Sequence, residues 1–150
     1  MLKVTCACLF YKNKVLLTQR GVDSDHPFLW EFPGGKIKAG ENAIECIVRE
    51  IKEELEIEMD ILGNMYPVKY DYGFKKIELI PFLGLARSSE IKLNDHIQFK
   101  WIDWNCLNEI ALLEADKKLI QQKDNRKILK KYFGKKVDNP RKYTRPSDNG

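Results

Sequence analysis

The run from Gly35 to Ile57 constrains the fold more than any other stretch of the chain. Gly35-Lys36-Ile37-Lys38-Ala39-Gly40-Glu41 leads, after seven residues, into Arg49-Glu50-Ile51-Lys52-Glu53-Glu54. At ~100° per residue, Ala43, Ile44, Ile47, Val48, Ile51 and Leu55 share one broad arc. This predicts a helix that turns that arc to the core. Glu50, Glu53 and Glu54, at offsets of three and four, are neighbours beside the arc, with Glu54 closest to the apolar edge. All three acids are therefore expected at the rim of the core, partly desolvated. Like charges stacked this way cost stability unless something positive sits among them. One or more divalent cations would supply it; the alternative is an ordinary solvated acidic face.

The remaining elements follow from pattern. Leu2 to Tyr11 is β-branched and apolar and predicts a strand, with Val15 to Gln19 as its return after a turn at Asn13. Gly21 to Pro27 reads as a polar loop. Met59 to Tyr72 and Lys75 to Ala86 predict two strands joined at Gly73, and Phe99 to Asp103 a short one. Asn105 to Ile110 reads as a helical turn. Ala115 to Phe133 predicts one helix, with Leu119, Ile120, Ile128 and Leu129 as core residues. Strands dominate with helices outside, which gives an α/β (α+β) class. Residues 1–134 are expected to form one domain. Residues 135–150, basic and nearly devoid of aliphatic side chains, read as a flexible tail, either a solvated extension or an RNA tether.

Composition excludes several classes. The chain has 150 residues, 43% of them hydrophobic and 32% charged, as in a globular protein with its own core. No segment reaches the ~20 apolar residues that span a bilayer, and the N-terminus lacks a signal-peptide layout. Cys6, Cys8, Cys46 and Cys106 contain no Cys-x-x-Cys metal pair and read as small buried thiols in a reducing cytosol. A cytoplasmic location is the expectation.

The glycine-and-glutamate run resembles the signature of the Nudix hydrolases. Gly35, Glu41, Arg49, Glu50, Ile51, Glu53, Glu54 and Ile57 match it at the correct spacing, and Leu29-Trp30-Glu31-Phe32-Pro33-Gly34-Gly35-Lys36 looks like the MutT-like branch. One position departs: Glu56 stands where the pattern has Gly. A left-handed cap there would cost a non-glycine residue on the order of 1 kcal/mol, so either Glu56 tolerates that strain or the helix ends differently. The resemblance implies an α-β-α sandwich around a mixed sheet. It also implies Mg²⁺ (or Mn²⁺) held by Glu50, Glu53, Glu54 and the Gly34 carbonyl. Carboxylate and carbonyl oxygens suit such hard cations. The implied reaction is hydrolysis of a nucleoside triphosphate to the monophosphate and pyrophosphate, with sanitation of 8-oxo-dGTP, a DNA-repair role, in the lead. Cytidine triphosphates, other nucleoside diphosphate-linked substrates including RNA 5′ ends, and a non-catalytic nucleotide-binding module are the alternatives. A monomer or homodimer is implied, with neither membrane nor nucleic acid as partner.

Individual roles follow from the same resemblance. Arg49 holds a glutamate in place or forms a surface ion pair. Glu41 serves catalysis or the helix dipole. Asp95, in Asn94-Asp95-His96 ahead of Trp101, supplies a further metal ligand, with His96 a turn residue or catalyst and Trp101 core. Arg20 and Phe32, twelve residues apart, contact the nucleotide together with Gly35 and Lys36. Asp116 either reads the base edge or caps the last helix. As an ionised acceptor it would favour the paired N–H donors of guanine.

Overall fold

Alternation along the first strand builds two cores, one on each face of a sheet. The structure, a computed structural model, describes residues 1–134, so the tail lies outside the described residues. In chain order the strands and first helix are β1 (Leu2–Tyr11), β2 (Lys14–Gln19), β3 (Trp30–Glu31), β4 (Gly34–Lys36), α1 (Ala43–Leu55), β5 (Met59–Asn64), β6 (Val68–Asp71), β7 (Lys76–Ala86) and β8 (Gln98–Asp103). A 3₁₀ turn (Trp104–Glu109), α2 (Glu114–Gln121), α3 (Lys123–Leu129) and a π-helical turn (Lys130–Gly134) complete the described chain.

Cys6, Cys8 and Phe10 of β1 point to the core shared with Leu119, Leu129 and Phe133. Ala7 and Leu9 point the other way, to Ile47, Ile51 and Leu55 of α1. Each fully buried leucine or isoleucine contributes about 1.5–3 kcal/mol. β1 runs parallel to β7 from Leu2↔Ile77 to Phe10↔Leu85, and the other strand pairs are antiparallel. The result is a mixed sheet between helices, the expected sandwich.

On its other edge β1 has two partners. It pairs with β4 over Val4–Cys6 and with β2 at Phe10 and Tyr11. The Ala7 N–H meets the Pro33 carbonyl at 2.8 Å. The sheet splits beside Cys6, and the functional cavity opens at that split.

Three expectations are corrected. The stretch Met59 to Tyr72 is two strands, each on a different part of β7. Their break at Tyr66 is held by the buried Asn125, which accepts from Tyr66 N (2.7 Å) and donates to Tyr66 O (2.8 Å) and Leu119 O (3.0 Å). The single helix of Ala115 to Phe133 is broken at Gln122, whose extended backbone (ψ 130°) ends α2 and whose side chain caps α3 by accepting Asn125 N. Helical periodicity survives such a break, because both pieces bury leucines. Finally, α1 buries Cys46, Ile47, Ile51 and Leu55, while Ile44 and Val48 are exposed. The sheet covers only the centre of the predicted arc. Glu56 does take the left-handed cap (φ 53°, ψ 40°), its N–H bonded to Lys52 O.

Candidate active site

α1 starts at a reciprocal cap. Asn42 accepts from Glu45 N at 2.8 Å, and Glu45 accepts from Asn42 N at 2.9 Å, satisfying two of the free N–H groups at the helix start. Glu41 therefore lies ahead of the cap, and its carboxylate serves Arg49. Nε and Nη2 of Arg49 donate to its two oxygens at 3.0 and 2.6 Å. This fork holds the Glu41 carboxyl down at about 2. Arg49 also donates to Glu50 (2.8 Å), Glu53 (3.2 Å) and Lys36 O (3.3 Å). One guanidinium thus ties the glycine segment to three glutamates, a denser role than either sequence alternative.

The glycines explain where Glu50 sits. A Cβ on Gly35 would lie 2.3 Å from the Glu50 Cδ, so the bare backbone is the floor on which this carboxyl rests. A Cβ on Gly34 would lie 2.0 Å from the Thr5 carbonyl oxygen, so Gly34 allows β4 to close on β1. Both glycines thus lie in the short strand β4.

Glu50 and Glu54 are largely buried, with side chains 15% and 16% exposed, whereas Glu53 is 50% exposed on the outer side of Arg49. The expectation of three desolvated acids is corrected to two. Burial, a hydrogen bond shared with Glu50, and the charges of Glu50, Glu31 and Asp95 push the Glu54 carboxyl up to about 9. Asp95 arrives because its loop covers the end of α1: Lys92 N donates to Leu55 O, Asn94 N to Glu54 O, and Asn94 Nδ2 to Glu53 O.

Among the described residues no three His, Cys, Asp or Glu side chains are already gathered as a metal cluster. The donor set nevertheless fits a hard dication. Glu50 and Glu54 lie beside each other, burial and this neighbour raise the Glu54 carboxyl, Glu54 Oε2 is buried with no hydrogen-bond partner in the structure, and every donor is an oxygen.

On the other side of the cavity, Arg20, just past β2, donates to Glu31 at 2.9 Å. Phe32 is buried, and its N–H donates to Asp116 Oδ2 at 2.8 Å. Asp116 sits inside the first turn of α2, whose N-cap is Leu113, so the capping alternative is overturned. At 4% exposure, burial first and the charge of Glu31 next push its carboxyl well above the usual range. Burial thus favours the protonated form of Asp116 over the ionised acceptor expected from the sequence, while the Phe32 N–H and the charge of Arg20 pull the other way.

The cavity is about 410 Å³ and brings together Arg20, Phe32, Gly34, Gly35, Lys36, Glu54, Asp95 and Asp116. Glu50 and Glu53 do not line it and are joined to each other through Arg49. Sequence reasoning missed Glu31, His26 and Tyr72 as wall residues. His26 stacks on Tyr72 at 4.9 Å, and the Tyr72 hydroxyl accepts from Ala115 N. Their signal, a polar residue inside an apolar strand or loop, is too common to single out. His96, expected as a turn residue or catalyst, contacts Glu31 at 2.8 Å. Trp101 is half-buried against Tyr11 rather than fully in the core. Four buried side-chain atoms among the described residues have no hydrogen-bond partner: Arg20 Nε, His26 Nε2, Glu54 Oε2 and His96 Nδ1. All four residues line this one cavity. Unsatisfied buried polar atoms are costly, so their concentration makes this cavity the candidate site for a polar ligand.

Residues 1–125 match the NUDIX domain. The chain is 43% identical over 61 residues to the CTP pyrophosphohydrolase of Escherichia coli K12, covering 41% of this chain and 45% of that protein. It is 32% identical over 99 residues to an 8-oxo-dGTP diphosphatase of Buchnera aphidicola (subsp. Schizaphis graminum), covering 66% and 75%. The first match therefore spans less than half the length of the relative. The crystal structure of a MutT protein from Methanosarcina mazei Go1 superposes with a TM-score of 0.74 at 25% identity, covering 84% and 94%. Among the described residues no helix is long and apolar enough to cross a membrane.

Proposed function

The chain belongs to the NUDIX family, and from that premise we propose that it is a Mg²⁺-dependent nucleoside triphosphate pyrophosphohydrolase of the cytoplasm. Water adds to a phosphorus of the triphosphate, the bridging P–O bond breaks, and the products are nucleoside monophosphate and pyrophosphate. The observation that carries this reading is the convergence of unsatisfied polar atoms on one cavity, with Glu54 in its lining and Glu50 beside Glu54. Glu50 and Glu54, with Glu53, Asp95 and the Gly34 carbonyl, would hold Mg²⁺ or Mn²⁺. When bound, such an ion supplies charge neutralisation of the phosphates and acidification of a water.

The chain's own residues set the geometry. Arg49 fixes the Glu50 rotamer against Gly35 and ties Glu53 to the same anchor. Arg20 and Lys36 line the cavity as positive groups for phosphate. Phe32 and the buried Asp116 form the base floor. Sanitation of 8-oxo-dGTP is the leading reading. In the protonated form that its burial favours, Asp116 offers one O–H donor beside acceptor capacity, which complements the N7–H and O6 edge that oxidation gives guanine. It also complements the N4–H and N3 edge of cytosine, so the same residue favours CTP or dCTP as a second reading.

A panel of 8-oxo-dGTP, dGTP, dCTP, CTP and ADP-ribose, scored for pyrophosphate against orthophosphate, tests both. Pyrophosphate release from 8-oxo-dGTP or a cytidine triphosphate is expected, lowered at least ~10²-fold in Glu54→Gln. Orthophosphate as the product, or undiminished turnover in Glu54→Gln, would refute the site.

A further inference from the structure

Three of the four unpartnered buried atoms belong to a single line of contacts. Arg20 Nη1 donates to Glu31 Oε1 at 2.9 Å. The other oxygen of that carboxylate, Oε2, lies 2.8 Å from His96 Nε2. The opposite ring nitrogen, His96 Nδ1, stands 4.0 Å from Glu54 Oε2. Four separate segments contribute: the end of β2, β3, the loop before β8, and α1. A carboxylate only accepts, so His96 Nε2 carries a proton donated to Glu31. Arg20 Nε, His96 Nδ1 and Glu54 Oε2 have no hydrogen-bond partner, so each open valence of the line faces the cavity or the next member.

Side chains 10–21% exposed throughout this line are too enclosed to be held together as surface ion pairs of negligible worth. The middle contacts are closed, while the two ends are open: one at Arg20, one at the largely buried Glu54 carboxylate. The gap between His96 Nδ1 and Glu54 is ~1 Å beyond hydrogen-bond reach.

We propose that Glu31 and His96 are positioning residues that couple nucleotide capture at Arg20 to the orientation of Glu54. This rests on the reading of Arg20 as a nucleotide contact and Glu54 as part of the working carboxylate cluster. A nucleotide oxygen that takes the free Nε–H of Arg20 moves the guanidinium. Glu31 follows through its bond to Nη1, and the His96 ring swings to close on Glu54. The carboxylate is then locked in one rotamer only when substrate is present.

The test uses the full chain labelled with ¹⁵N-histidine, which contains His26 and His96; His26→Asn assigns the resonances. CMP and 8-oxo-dGMP are titrated without divalent cation at fixed pH. The His96 imidazole resonances are expected to shift on nucleotide binding in the wild type. They are expected to stay still in Glu31→Gln, while tryptophan fluorescence shows that variant still saturating. In parallel, His96→Gln keeps an amide for Glu31 but cannot reach Glu54. Its kcat is expected to fall ~10- to 100-fold with KM within about threefold, and Glu31→Gln is expected to add little to that loss in the double variant. Should His96→Gln fail to fold, His96→Asn replaces it. An imidazole indifferent to nucleotide, a shift that persists in Glu31→Gln, or kcat losses that multiply in the double variant would overturn the coupling. If the wild type cleaves no nucleoside triphosphate, the functional reading fails, while the imidazole titration still judges the coupling by itself.

Discussion

Two adjacent glycines should respond to the same substitution in opposite ways. In Gly35→Ala the new methyl would stand 2.3 Å from Glu50 Cδ, roughly 1 Å inside ordinary carbon contact. The obstructed atom is the end of a flexible side chain, so the carboxyl moves and the backbone stays. The displacement breaks the 2.8 Å bond from Arg49 Nη1. Stability should change less than in the neighbouring glycine variant, because no backbone pairing opens, but a 1 Å error at a working carboxylate costs on the order of 10² in rate. In Gly34→Ala the methyl would stand 2.0 Å from the Thr5 carbonyl oxygen and 2.6 Å from Cys6 Cα. Both are backbone, so the β1–β4 pairing at Cys6↔Gly34 must open. Overpacking of this kind costs ~1–3 kcal/mol or more, a fall in Tm of about 3–10 °C for a chain of this size. Thermal melts paired with kcat on the best substrate of the panel separate the two. The reasoning is refuted if Gly35→Ala keeps kcat within twofold of wild type, or if both variants lose the same Tm.

Asn125→Ala removes three bonds to backbone groups of Tyr66 and Leu119 and leaves buried polar atoms unpaired; a loss of ~2–4 kcal/mol in urea unfolding is expected. Asp116→Asn should stabilise the protein above neutral pH. A carboxyl whose pKa is raised by folding costs the native state stability progressively as pH climbs above its unfolded value of about 3.9. The advantage of Asn over Asp in urea midpoints should therefore grow from pH 5 to pH 8, and a constant difference would contradict the buried neutral acid. Glu56→Gly relieves a left-handed residue and should raise Tm by a few degrees, with ~1 kcal/mol gained and turnover unchanged, as read by melts and kcat.

The run from Gly35 to Ile57 made the helix, the anchoring arginine and the neighbouring glutamates legible without any structure, because spacing on a helix fixes which side chains are neighbours. β1 and its hairpin partner were legible for the same local reason, and so was the helical character after Glu114, though not its break at Gln122. What spacing cannot carry is desolvation. Glu53 and Glu54 are consecutive in sequence, yet one is half-exposed and the other buried beside Glu50 and Glu31. That difference is set by the loop from Lys92 to His96 folding over the end of α1. Likewise Asp116 reads as a helix cap from its neighbours, and only its burial at the cavity floor, close to the charge of Glu31 from far along the chain, pushes its carboxyl upward. Local geometry is written in the order of residues; the dielectric around a charge is the sum of everything packed against it, and that exists only once the sheet has brought distant segments together.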